Sequence, residues 1–367
     1  MDAHRTKIRP CFYFGGGALA GSFCLALVAA LAACAASDAP ASPGVATDDA
    51  GAPSPPTTGA GADGGAGAGD ADTSPDALPP PPASDGSTAE AGAGGAYDTD
   101  GPVTFKVTTE SVTNGSSSFT LNVYMPDSPG PHPIVSLSPG LLQPAVAYVP
   151  YAQRLASYGI AVLVRDDPGL LIGSQDLASD VGYVVATWMP ATLGAKVDLT
   201  RVGLAGHSRG GMATLLAAEH ALKGKVESWL GLDPVDVSTK GGDPLARDGV
   251  GTLGIPTAYI GASVTSSCAP ASANYAVLYA ATSAPSVQIT AVGAGHTELE
   301  DTTHCSACNL CTPAGTADAK TVLAYSVRYA TAFFARELLG DAKVGAAFEG
   351  AGVQADVAAG RVQIASK

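Results

Sequence analysis

Residues 101–367 predict an α/β fold: a mostly parallel central sheet with helices on both faces and an antiparallel hairpin at its N-terminal edge. Three observations carry that expectation. From residue 133 onward, short apolar runs of strand type alternate with longer segments of helical spacing. That alternation is what parallel strands joined by crossover helices produce. Upstream, residues 103–112 and 118–125 alternate in strand fashion on either side of Asn114-Gly115, a strong hairpin turn. Finally, residues 201–212 read RVGLAGHSRGGM, an apolar run that meets a glycine-flanked serine and passes into helix formers.

Taken in order, residues 133–138 (PIVSLS) form a short buried-type strand that runs into Pro139-Gly140-Leu141-Leu142. A helix follows over 146–158, a strand over 160–164 and a helix over 176–188. The strand at 202–205 leads to the serine, and 212–222 (MATLLAAEHAL) has apolar residues at helical spacing. Strands are expected again at 229–232, 257–260 and 287–292, and a long closing helix at 319–339. The tail from 341 to 367 reads as a short helix and an extended piece packed on the domain.

The first hundred residues belong to a different class. Arg5, Lys7 and Arg9 precede a mostly apolar stretch at 12–33 that ends in Leu31-Ala32-Ala33-Cys34. This has the shape of a signal peptide with small residues at the cleavage point. It resembles the lipobox of bacterial lipoproteins, which implies acylation of Cys34 and residence in the cell envelope, on the periplasmic or outer-surface side. A membrane-spanning anchor is the alternative, because the stretch is just long enough to cross a bilayer. Gly15-Gly16-Gly17 and the placement of Cys34 weigh against it.

Residues 35–100 are almost entirely Ala, Gly, Pro, Ser, Thr and Asp, with 11 acidic residues and no Lys or Arg. So little apolar surface cannot offset the entropy of ordering, and a disordered tether is expected. The chain's net charge of −14 is mostly this tether, since 21 acidic and 16 basic residues remain from 101 onward. No basic patch argues for nucleic acid.

Gly206-His207-Ser208-Arg209-Gly210 has the G-x-S-x-G spacing of a nucleophile elbow. A serine on a sharp strand-to-helix turn needs very small neighbours two positions to either side, and Gly206 and Gly210 provide them. A serine hydroxyl also needs a base, and the base an orienting carboxylate. Six histidines are available. His4 lies in the signal, His132 precedes a strand, and His207 is inside the elbow. His220 is roughly 18 Å along the following helix by its rise, and His304 sits among cysteines. His296 follows the last parallel strand on a glycine-rich loop, so it is the expected base. Asp233 leaves the strand next to the elbow and is the expected acid, with Asp236 as the rival. The loop 261–266 contains no carboxylate.

The order serine, acid, histidine is that of α/β hydrolases, in which the N–H after the nucleophile and one from the loop after an early strand form the oxyanion hole. Here those are Arg209 and Leu141. The Arg209 side chain has Asp233, Asp236 and Asp167 as possible partners. Together the motifs resemble a branch that contains chlorophyllases, platelet-activating-factor acetylhydrolases and cutinase-like polyester hydrolases. GHSRGG at 206–211, LDPVD at 232–236, and Gly295-His296 followed by Glu298, Glu300 and Asp301 look most like chlorophyllase. Pro139-Gly140-Leu141 and the segment Ala156-Ser157-Tyr158-Gly159-Ile160 look like the polyester hydrolases. The likeness covers about residues 101–340 and implies the α/β-hydrolase fold. In chlorophyllases and the acetylhydrolases the acid stands at the place matched by Asp233.

Beyond the signal, Cys268, Cys305, Cys308 and Cys311 remain besides Cys34. The C-x-x-C-x-x-C spacing of the last three, with Cys268 as a fourth thiol, fits zinc or an iron–sulfur cluster, but export to an oxidising compartment points to two disulfides and no metal. The expected protein is a membrane-tethered monomer that hydrolyses carboxylic esters, small or lipid-like, through Ser208, His296 and Asp233 without a cofactor. An amidase or peptidase with the same triad is one rival. A non-catalytic surface binding module on this scaffold is the other.

Overall fold

Asn114-Gly115 turns the chain between β1 (Phe105–Asn114) and β2 (Ser117–Pro126), which pair antiparallel in unbroken register from Phe105 opposite Pro126 to Asn114 opposite Ser117. Gly115 has φ +60°, a left-handed value that such a tight turn requires. The structure is a computed structural model and describes residues 97–170, 172–238, 244–342, 348 and 350–367. The expected signal peptide, the lipidation at Cys34 and nearly all of the tether lie outside the described residues. Residues 97–100, read from sequence as the end of the tether, pack on the domain: Tyr97 is buried, Asp98 pairs with Arg328 and Asp100 with Arg154.

β3 (His132–Ser138), β4 (Ala161–Arg165), β5 (Val197–His207), β6 (Ser228–Leu232), β7 (Thr257–Ala262), β8 (Ser286–Ala291) and β9 (Val362–Ser366) complete the sheet. Its order is β1-β2-β4-β3-β5-β6-β7-β8-β9. The central strands β4, β3, β5, β6, β7 and β8 are parallel, and antiparallel partners flank them at both sides. The extended piece expected in the tail is thus a ninth strand, β9.

Side chains alternate across the pleat, and this divides the core in two. Val135, Val162, Leu230, Ile260 and Ile289 face α1 (Val149–Ser157), α5 (Ala319–Leu339) and α6 (Ala351–Ala358). Ile134, Leu163, Leu204 and Tyr259 face α2 (Ser174–Tyr183), α3 (Ser208–Glu219) and α4 (Tyr275–Ala281). Each fully buried Leu, Ile or Phe contributes about 1.5–3 kcal/mol, so both helical layers are held by apolar contact. α5 has the expected bounds because its stops are chemical. The Asp318 carboxylate accepts the Thr321 N–H at its start, and Gly340, with φ +66°, ends it.

Parallel strands have a common direction, so the loops after β3, β5, β6 and β8 all open at one edge of the sheet. Open α/β sheets bind ligands at that edge. Among the described residues no helix is long and apolar enough to cross a membrane.

Candidate active site

β5 ends at His207 and α3 begins at Ser208, which is held at φ +53°. A non-glycine residue there is strained, and it persists only where its surroundings enforce it. The flanking glycines do so. A Cβ on Gly206 would stand 2.3 Å from the Gly210 carbonyl oxygen, and one on Gly210 would stand 2.3 Å from that of Pro139. Gly211 packs against Pro234, where a Cβ would come within 2.6 Å of the proline side chain.

Asp233, at the end of β6, is strained in the same sense, with φ +37°. Its N–H donates to Ile260 O at 2.6 Å. Its buried carboxylate takes the Ala262 N–H on Oδ1 at 3.3 Å and stands 2.7 Å from His296 Nδ1 through Oδ2. The neighbouring Val235 N–H donates to Ser208 O at 3.1 Å, tying this loop to the elbow. Asp236 is engaged elsewhere, accepting from Arg247 Nε at 2.6 Å and from the Ala246 N–H at 2.7 Å. Of the two carboxylates, Asp233 is the one that meets the histidine.

His296 opens a short 3-10 turn, His296–Leu299, after β8. His207 stacks on it, with ring centroids 4.7 Å apart, and His207 Nε2 lies 3.0 Å from the His296 carbonyl oxygen. Burial, together with the nearby His296, pushes the His207 imidazole well below its ordinary pKa, so it is neutral. The other histidines are elsewhere. His132 bonds Ser128 O, His304 pairs with Asp301 at the surface, and His220 is exposed.

The loop after β3 is held from several sides. The Gly140 N–H donates to the Tyr148 hydroxyl at 2.9 Å and the Leu142 N–H to Asp167 Oδ2 at 2.8 Å, with Leu142 at φ +63°. Leu141 lies between them. Ala145 N–H donates to Asp166 Oδ1 at 2.6 Å. The Arg209 side chain chooses Asp167 among its three possible partners. It forms a buried ion pair there and donates to Gly169 O at 3.1 Å and Ile172 O at 2.8 Å. One guanidinium thus joins the elbow to the loop after β4, whose Asp167 in turn takes the Leu142 N–H of the loop after β3. Leu141, Leu142 and Ile172 are half-buried beside the elbow; Leu170 is exposed, and Leu171 lies outside the described residues.

Disulfides join Cys268 to Cys311 and Cys305 to Cys308. The first pins the chain after β7 to the segment that follows His296. Gln143 reaches the second bridge: its Nε2 is 3.3 Å from Cys305 Sγ, and its Oε1 accepts the Ser306 N–H at 3.1 Å. A groove bordered by Val185, Pro190, Leu199 and Lys225 lies at the start of β5, the end opposite Ser208.

Sequence reasoning missed Tyr148, Asp167 as the partner that holds the loop, and the buried role of Glu300. The Tyr148 hydroxyl stands 2.8 Å from His207 Nδ1 and 2.7 Å from Glu300 Oε2. Glu300 was visible only as one of three acids after His296. Comparison with curated proteins finds no match. The sequence model of the chlorophyllase family, in contrast, matches residues 94–343, which include the elbow, Asp233, His296 and all four bridged cysteines. The chain therefore belongs to the chlorophyllase family, a family of ester-hydrolysing α/β hydrolases.

Proposed function

We propose that the protein is a serine-dependent carboxylic ester hydrolase that works through an acyl-enzyme. The observation that carries this reading is the buried Asp233–His296 pair at 2.7 Å, with His207, the residue before the left-handed elbow serine, stacked on His296 and Val235 N–H bonded to Ser208 O. Asp233 accepts the Nδ1 hydrogen of His296 and leaves Nε2 as the base. His296 takes the hydroxyl proton as Ser208 Oγ attacks the ester carbonyl, and the carbonyl π electrons move onto oxygen. The N–H groups of Leu141 and Arg209 hold that oxyanion. Arg209 suits this role because the first N–H groups of a helix lack intrahelical acceptors and lie at its positive end. Leu141 suits it because the N–H groups of its neighbours, Gly140 and Leu142, are already spent.

Collapse of the intermediate expels the alcohol, which takes the proton from His296. Water then attacks the acyl-enzyme by the same route, releases the acid and restores Ser208. Each oxyanion donor is typically worth about 10²–10³ in kcat. No cofactor enters these steps. The half-buried leucines at 141 and 142 support an apolar substrate, and the lipobox-like segment supports attachment to a bacterial envelope membrane through Cys34.

The test is a panel of nitrophenyl esters from acetate to palmitate, run beside matched anilides. Ester turnover that disappears in Ser208→Ala is expected. Cleavage of anilides in preference to esters would move the reading to an amidase, and no turnover of either would leave a binding module.

A further inference from the structure

The mechanism leaves three buried groups unused. The Tyr148 hydroxyl joins the loop after β3, the elbow and the segment after His296, through Gly140, His207 and Glu300. A phenol has a single hydrogen to share among these partners. Gly140 brings an N–H and so uses one lone pair of the hydroxyl oxygen. His207 and Glu300 compete for what remains.

His207 settles the competition. A carbonyl oxygen only accepts, so the 3.0 Å contact from His207 Nε2 to His296 O requires a hydrogen on Nε2. A neutral imidazole carries one such hydrogen, so its Nδ1 is an acceptor and must receive the hydrogen of Tyr148. The tyrosine then has none left for Glu300, 2.7 Å away. Two acceptors at that distance would repel unless the carboxyl supplies a hydrogen of its own.

We propose that Glu300 is a positioning residue that acts as a carboxylic acid, donating to Tyr148, which donates to His207, which donates to the backbone carbonyl of the base His296. The chain of hydrogen bonds runs in one direction and holds His296 against the elbow. Loss of the Glu300 proton reverses it. Tyr148 then turns its hydrogen to the carboxylate, His207 shifts its hydrogen to Nδ1, and the Nε2 lone pair faces the His296 carbonyl.

Burial supports the acid form, since it pushes the Glu300 carboxyl up to about 7. Around it stand Tyr148 and Tyr151 from the segment leading into and through α1, His207 from the elbow, and His296 and Asp301 on its own loop. A hydrogen bond donated by Tyr148 favours the carboxylate, as does His296 when charged, whereas burial, the largest influence, and Asp301 oppose it. The nearby Cys305 sulfur is in a disulfide and has no proton to give.

The inference rests on His296 as the base, and the test separates the two. In the wild-type protein, kcat for a nitrophenyl ester should step down near pH 7 to a lower plateau, by about 10- to 100-fold, the usual cost of a misplaced catalytic group. Glu300→Gln, whose amide donates to Tyr148 at every pH, should stay on the upper plateau. Nitrogen-15 NMR of labelled histidine should find the His207 hydrogen on Nε2 at pH 6 and on Nδ1 at pH 9. A downward step that survives Glu300→Gln, or a His207 hydrogen on Nδ1 at pH 6, would overturn the proposal. The NMR arm needs neither turnover nor a folded variant. If the wild type cleaves no ester, the functional reading fails while the tautomer still decides this one.

Discussion

Replacing Asp233 by Asn tests the acid in a way that geometry makes sharp. The carboxylate satisfies two donors, the Ala262 N–H on Oδ1 and His296 Nδ1 on Oδ2. An amide has the same shape but only one acceptor oxygen, so it must choose. If that oxygen faces His296, an NH2 group opposes the buried Ala262 N–H, at a cost of about 1–3 kcal/mol for the unsatisfied donor. If it faces Ala262, the NH2 donates to Nδ1 and the imidazole simply moves its hydrogen to Nε2. The second arrangement leaves nothing unpaired and therefore wins. It also removes the base, because an Nε2 that carries a hydrogen cannot take the proton of Ser208. A wrong tautomer of this kind lowers kcat by about 10⁴, or about 5.4 kcal/mol of transition-state stabilisation. Steady-state hydrolysis of a nitrophenyl ester measures it, with Asp236→Asn as the comparison. Asp236 serves Arg247 and Ala246, so its replacement should lower stability and leave kcat of the folded protein within a few-fold. A kcat for Asp233→Asn within tenfold of wild type, or an equal loss in Asp236→Asn, would refute the reasoning.

Other outcomes follow from the same contacts. Removing the Cys268–Cys311 bridge, with its 43-residue separation, should cost about 4 kcal/mol in urea unfolding by the loop-entropy relation, against about 2 kcal/mol or less for Cys305–Cys308. Intact mass of the folded domain should show four hydrogens fewer than the reduced chain, with no zinc or iron bound. Asp167→Ala strips the buried Arg209 of its counter-ion and the Leu142 and Gly169 N–H groups of their acceptor. About 3–5 kcal/mol should be lost, read from the urea midpoint. Glu219 is pushed from 4.5 up to about 8, by burial first and then by repulsion from Asp236 and Asp248. Between those values the folded chain keeps a proton that the unfolded chain has released, so stability is full below 4.5 and falls as pH rises through 8. In Glu219→Gln this decline should flatten; an unchanged urea midpoint slope against pH would contradict the assignment.

How far the sequence could be read follows from how local each signal is. The bounds of α5 were legible because Asp318 and Gly340 stop it chemically. β5 begins at Val197, five residues before the apolar run at 202–205, since its first half carries the exposed or half-buried Asp198, Leu199, Thr200 and Arg201. α4, at Tyr275–Ala281, is too short for helical spacing to register, and it was missed. The helix expected over 176–188 spans a π-turn at Val184–Trp188 that no pattern in the chain announces. Within the site, Ser208, Asp233 and His296 were recognisable because each follows a strand on a short, glycine-rich or acidic turn. The partner of Arg209 lies 42 positions away and remained one of three. Tyr148 is separated from His207 by 59 positions and from Glu300 by 152. Such a network depends on where the sheet brings its loops, and no spacing rule reaches that far.

The central claim concerns one hydroxyl, and a fluorophosphonate probe reports on it directly. Peptide mapping after labelling should place the probe on Ser208, with labelling abolished in Ser208→Ala and strongly slowed in His296→Ala. An unlabelled wild-type protein, or a probe found on any other residue, would contradict the account.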